Sequence, residues 1–203
     1  MEINKEYYFD DNDHVRRNKT KKKQIILINS SSTKEEYFTK IKTRYNGKYN
    51  RLPCFFISQD GEVYQHYNVN YYTKMMDEHG MEKNSVTICL ENVGWLTKNM
   101  RGDKYLTWKG SVYEGEVIEV PWRNKRFWAT YSDEQQVKLV ELVNYLCLEY
   151  DIIKDFIGSN VLVNKPNNYK GVINRSNYSK NYYDLSPAAN FKKITNLINN
   201  ENE

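Results

Sequence analysis

Asn84 to Asn92, NSVTICLEN, is the stretch on which the fold turns. From Val86 to Leu90 it is a short unbroken run of apolar and β-branched residues, with no polar alternation. That is the pattern of a strand covered on both faces, which needs neighbouring strands beside it and helices above and below. QIILIN, Gln24 to Asn29, has the same character and ends in Ser-Ser-Ser-Thr, so it reads as a second central strand. CFFIS (Cys54 to Ser58) and EVYQHY (Glu62 to Tyr67) flank Gln59-Asp60-Gly61 and form a hairpin signal.

Helical punctuation lies around these strands. Ser32 with Glu35 fits a capping box, Tyr37, Phe38, Ile41 and Tyr45 repeat at helical spacing, and Asn46-Gly47 stops the run. Ser132 with Gln135 starts a longer helix whose apolar face is Val137, Val140, Val143, Leu146, Cys147 and Tyr150. Val161 to Val163 and Gly171 to Asn174 read as short strands, and a last helix runs from about Pro187 to Ile198. The expectation is an α/β fold: a central mixed β-sheet flanked by helices near 33–45 and 132–150. Residues 1–22 read as a polar tail or docking arm, 23–198 as one domain, and 199–203 as a frayed end. Residues 95–131 hold all four Trp and little helical period, and read as an aromatic loop-and-hairpin insertion.

The net charge of +4 is too mild for a nucleic-acid partner, and the Lys21–Lys23 run reads as a solvated flank. Three cysteines, Cys54, Cys89 and Cys147, have no CxxC spacing and sit in apolar stretches, so neither a disulfide framework nor a zinc knuckle is expected. The N-terminus lacks an apolar signal region, and no apolar run approaches the about 20 residues of a membrane span. The expectation is synthesis in the cytoplasm without a leader.

Four segments in order resemble the zinc-dependent N-acetylmuramoyl-L-alanine amidases and the peptidoglycan recognition proteins. They are QIILINSSS, LPCFFISQDGEVYQ, NSVTICLEN, and the pair YSDEQQVKLVELVNYLCLEYDI and GVINRSNYSKNYYDLSPAANF, together most of Gln24 to Phe191. The resemblance implies a zinc ion on three protein ligands with an open position for the attacking water. Carried over, the two ligand histidines fall on Asn29 and Asn174, and the closing-loop ligand on Asp184, ten residues further on. The family's helper Tyr falls on Pro53 and its helper Lys on Tyr182. An amide oxygen is a poor zinc donor, so no cofactor is expected; the two amides are expected to bond each other and Asp184.

No other scheme replaces the metal. His14 lies in the tail, His66 reads as outward-facing on the hairpin, and His79 falls near a segment that lines the family's substrate groove. Cys54 has no basic neighbour in the sequence, Ser30 to Ser32 read as caps, Asp60 and Glu62 flank a turn, and Asp77, Glu78 and Glu82 read as a solvated loop. The expected role is a catalytically inactive amidase-like module that binds a peptidoglycan fragment, or a structural subunit of a phage tail or baseplate among other virion proteins. An active amidase with unusual ligands is the alternative. The Asn-, Lys- and Tyr-rich composition, with 18 Tyr, fits an AT-rich phage or bacterial genome. Trp95, Trp108, Trp122, Arg123, Trp128 and His79 are the expected binding residues.

Overall fold

The computed structural model describes residues 1–9, 14–76, 81–99 and 102–199. The two apolar runs are the centre of a five-stranded sheet. Its strands are β1 (Gln24–Asn29), β2 (Phe55–Ile57), β3 (Val63–Gln65), β4 (Ser85–Leu90) and β10 (Gly171–Asn174), in the order β10-β1-β4-β2-β3. β1 pairs in parallel with both β10 and β4, β4 in parallel with β2, and only the β2–β3 hairpin is antiparallel. Every residue of β1, β4 and β10 is buried, which is why those strands do not alternate.

Helices α1 (Lys34–Thr43), α2 (Asp133–Tyr150) and α3 (Phe191–Asn199) flank this sheet. The α1 capping box is one residue later than the sequence reading places it. Thr33 and Glu36 form it, because the Ser32 hydroxyl donates to the Ser30 carbonyl instead. Ser132 caps α2 as expected, but the Gln135 side chain is not the second half of a box: its amide reaches Ile57 O (2.9 Å) and Glu91 O (3.1 Å). The buried face of α2 runs through Leu139, Val140, Leu142, Val143, Leu146 and Cys147, whereas Val137 is exposed. Val161 to Val163 form no strand; Val161 and Leu162 face solvent.

The N-terminal segment docks on the free edge of the sheet. Asn4 bonds both ways across β3, through Val63 O at 2.8 Å and Gln65 N at 3.0 Å, and Tyr7 stacks on Phe38 at 4.0 Å. An uncovered strand edge invites pairing with other chains, and this segment covers it. His66 is therefore fully buried rather than outward-facing, between the segment and α1. Its Nδ1 lies 2.9 Å from Tyr7 O, and its Nε2 lies 2.9 Å from the Tyr37 hydroxyl. A carbonyl only accepts, so the proton is on Nδ1 and Tyr37 donates to Nε2. Two further polar residues are buried against expectation. Lys22 donates to Tyr71 O and Lys83 O, both at 2.9 Å, and Glu82 accepts from Met76 N at 3.2 Å.

The 95–131 insertion is a sheet of its own: β5 (Trp95–Lys98), β6 (Tyr105–Thr107), β7 (Val112–Tyr113), β8 (Val117–Trp122) and β9 (Lys125–Ala129), antiparallel throughout in the order β7-β6-β5-β9-β8. Val93, Leu96 and Ala129 form its small core, with Tyr105, Tyr113, Val117 and Phe127 packed against them. Arg123 and Asn124, both at positive φ (48° and 63°), make a two-residue turn from β8 to β9. Positive φ at both positions matches the right-handed twist of a hairpin.

Candidate functional site: the strand-end asparagines and the adjoining hollows

Asn29 ends β1 and Asn174 ends β10, so the parallel pairing of those strands brings both to the same end of the sheet. The loop after β10 returns Asp184 to this point. One Asp184 oxygen accepts from the Asn29 backbone N–H at 2.8 Å, and the other from Arg175 Nε at 2.5 Å. Asp184 is 2% exposed, so this is a buried ion pair. Burial alone would lower the Arg175 pKa, but the adjacent Asp184 carboxylate outweighs it and raises it.

The two amides do not bond each other. Asn29 Oδ1 accepts from the Tyr131 hydroxyl at 2.9 Å, and the same Tyr131 oxygen accepts from Ser186 N at 3.2 Å. Asn174 Nδ2 donates to Ser159 O at 3.2 Å, while its Oδ1 is buried without a donor. Zinc of the kind the resemblance implies does not fit these donors. The single carboxylate has each oxygen taken by a donor, and what remains is neutral amide oxygen. Among the described residues no three His, Cys, Asp or Glu side chains cluster as a metal site.

Pro53 is buried, and Tyr182 lies under the Arg175 guanidinium at 4.8 Å. The three cysteines are buried and unpaired. Burial pushes the Cys89 thiol up to about 12 and Cys147 to about 11, and raises Cys54 further, so none is a thiolate nucleophile at neutral pH.

The expected binding residues separate. Trp128 is core, not surface: it is fully buried, donates to Val120 O at 2.8 Å and packs on Trp122 and Tyr183. Arg123 is a clamp rather than an interface anchor. It holds the closing loop through the carbonyls of Ser179 (2.8 Å), Ser176 (2.7 Å) and Tyr182, and also reaches Asn160 O in the segment before β10. Trp95 is half-buried under Lys125, 3.4 Å from its ring centroid, and Trp122 is half-buried against Tyr183. Trp108 is 51% exposed, its indole N–H donating to Ser31 O at 3.0 Å. His79 lies outside the described residues.

Trp108 and Tyr113 line a hollow of about 260 Å³. It shares Thr33, Val93 and Tyr113 with a second of about 450 Å³ that reaches Glu91 and Tyr131. At its other end it meets, through Ser31, a cavity of about 130 Å³ beside Asn29. The three hollows thus lie side by side between the insertion sheet and the end of β1. Sequence reasoning missed Arg175, Tyr131, Lys40 and Arg51 as parts of this region. Arg175 alone had a legible signal, since it directly follows the Asn174 position.

No family model matches the chain, and no curated protein matches it. Solved structures do. A mutant endolysin from Bacillus subtilis shares 13% identity over 98% of this chain and 99% of its own, with a TM-score of 0.56. The Staphylococcus aureus hydrolase AmiA, solved in complex with its ligand, shares 11% identity over 98% of this chain and 82% of its own, at 0.55. The endolysin N-acetylmuramoyl-L-alanine amidase LysCS from Clostridium intestinale shares 14% over 91% of this chain and 88% of its own, at 0.51. At such identity the likeness is one of fold. The chain has the mixed α/β fold of the N-acetylmuramoyl-L-alanine amidases.

Proposed function

We propose that this chain is a non-hydrolytic binding module on the amidase fold, which grips a peptidoglycan fragment without cutting it. The observation that carries the reading is the Asp184–Arg175 ion pair between two strand-end asparagines. The one carboxylate able to ligate a metal is neutralised by a guanidinium, so no zinc is held and no water is activated. Loss of hydrolysis does not remove the groove, because affinity comes from its walls. Trp108 offers a flat apolar face suited to a pyranose ring, and one of the structures that share this fold is an N-acetylmuramoyl-L-alanine amidase.

A structural role in a phage tail or baseplate is the second reading, favoured by a separate feature: Val137, Tyr145 and Leu148 are exposed apolar side chains on one face of α2, around the charged Glu141, with Leu148 85% exposed. The test is retention on purified peptidoglycan, with muropeptide release assayed in the same sample with and without added Zn²⁺. Retention without release is expected. Zinc-dependent release abolished by Asp184→Ala would establish an active amidase, and no retention would leave the assembly role.

A further inference from the structure

The cavity beside Asn29 is lined by Lys40, Arg51 and Arg175, together with the rings of Tyr37 and Tyr49, and no carboxylate lines it among the described residues. Asp184 lies behind Arg175, bonded to Nε and to the Asn29 backbone, so it pairs with Arg175 from outside the cavity.

Donors of Arg175, Asn29 and Lys40 that face this space meet no acceptor among the described residues. Arg175 makes one hydrogen bond, through Nε, so its two terminal nitrogens donate to nothing among the described residues. Asn29 turns its Oδ1 to Tyr131, leaving Nδ2 without an acceptor among the described residues. Lys40 forms no ion pair among the described residues; its ammonium rests 5.3 Å and 5.5 Å from the ring centroids of Tyr37 and Tyr49. Burial lowers the Lys40 pKa, and the like charges of Lys109, Arg44 and Arg175 push the same way. Bringing an anion among such donors relieves repulsion and completes hydrogen bonds that the fold leaves open.

We propose that this cavity, beside the end of β1, is an anion site that takes a carboxylate. The planar Arg175 fork matches the two oxygens of a carboxylate, and Asn29 Nδ2 and Lys40 supply the remaining donors. A volume of about 130 Å³ admits such a group at the end of a longer molecule. This deepens the peptidoglycan reading, since wall peptides carry carboxylates, but the site itself does not depend on it.

The test is a ¹H–¹⁵N chemical-shift titration of the full chain with acetate, in Tris chloride at low ionic strength, following the Asn29 side-chain amide and Arg175 Nε. Saturable shifts at both groups are expected. Lys40→Gln should weaken binding about tenfold, the loss of one charge-assisted hydrogen bond, whereas Lys42→Gln on the exposed side of α1 should leave it unchanged. Arg175→Lys, which keeps the charge but loses the fork, provides a second variant should Lys40→Gln fold poorly, and it too should weaken binding. Absence of saturable shifts, or equal affinity in wild type, Lys40→Gln and Arg175→Lys, overturns the site. Inorganic phosphate binding tenfold tighter than acetate overturns the carboxylate assignment. Acetate binding without retention on peptidoglycan removes the wall reading and leaves the site, and retention without acetate binding does the reverse.

Discussion

Protonation of His66 should destabilise the fold at mildly acidic pH. The imidazole is fully buried, and burial pulls its pKa from 6.5 to about 4, only partly offset by its bond to Tyr7 O. The folded chain therefore stays neutral at His66 where the unfolded chain binds a proton. Stability is complete above pH 6.5 and falls as pH drops from 6.5 towards about 4. At about 1.4 kcal/mol per pH unit that gap amounts to about 3 kcal/mol. The Tyr37 hydrogen bond enforces the cost: protonated Nε2 and the Tyr37 hydroxyl would both be donors facing each other. The assay is urea unfolding followed by tryptophan fluorescence from pH 7.5 to 4.5, for wild type and for His66→Gln, whose side-chain oxygen can still accept from Tyr37. The variant is expected to start less stable and to lose less on acidification, so that the two curves converge. Other groups titrate in both proteins and cancel in the difference. Parallel profiles for the two proteins would refute the assignment of the acid sensitivity to His66.

Three further outcomes are expected. Arg123→Ala releases three carbonyl contacts between the insertion and the closing loop and one to Asn160, and should cost about 2–3 kcal/mol in a denaturant melt; a change near zero would mean the clamp is dispensable. Asn29→His with Asn174→His should raise zinc affinity by calorimetry yet restore no muropeptide release, since Asp184 stays paired with Arg175; recovered hydrolysis would contradict the account of the site. Acrylamide should quench Trp108, which is 51% exposed, and not Trp128, so Trp108→Phe should remove most of the accessible signal. Peptidoglycan should protect that signal in the wild type, and unprotected quenching with bound wall would take Trp108 out of the groove's contacts.

The central sheet was legible because its evidence is local. QIILIN and VTICL are apolar without alternation, and the only environment that satisfies such a run is one covered on both faces. The Asp60-Gly61 hairpin and the Ser132 cap were readable for the same reason, since each depends on backbone chemistry within a few residues. The strand-end asparagines could be named from the order of motifs, although what they bond could not. Asn29 is 102 residues from Tyr131 and 155 from Asp184, and no sequence pattern specifies such pairings.

The tertiary structure alone decided which polar residues are inside. His66 and Lys22 have the composition of surface residues, and they are buried because the N-terminal segment and the loops beside it supply carbonyls at hydrogen-bonding distance. The insertion shows the same limit from the apolar side. Its aromatics announced a cluster, but Trp128 inside and Trp108 outside differ only in where β9 and the β6–β7 turn sit against the rest of the chain. The sequence by itself determined which backbone segments had to be strands and helices, because those preferences act within a few residues. The meeting of Lys40, Arg51 and Arg175 around one cavity was decided only in three dimensions, because charge and hydrogen bonding act through space between residues the chain keeps far apart.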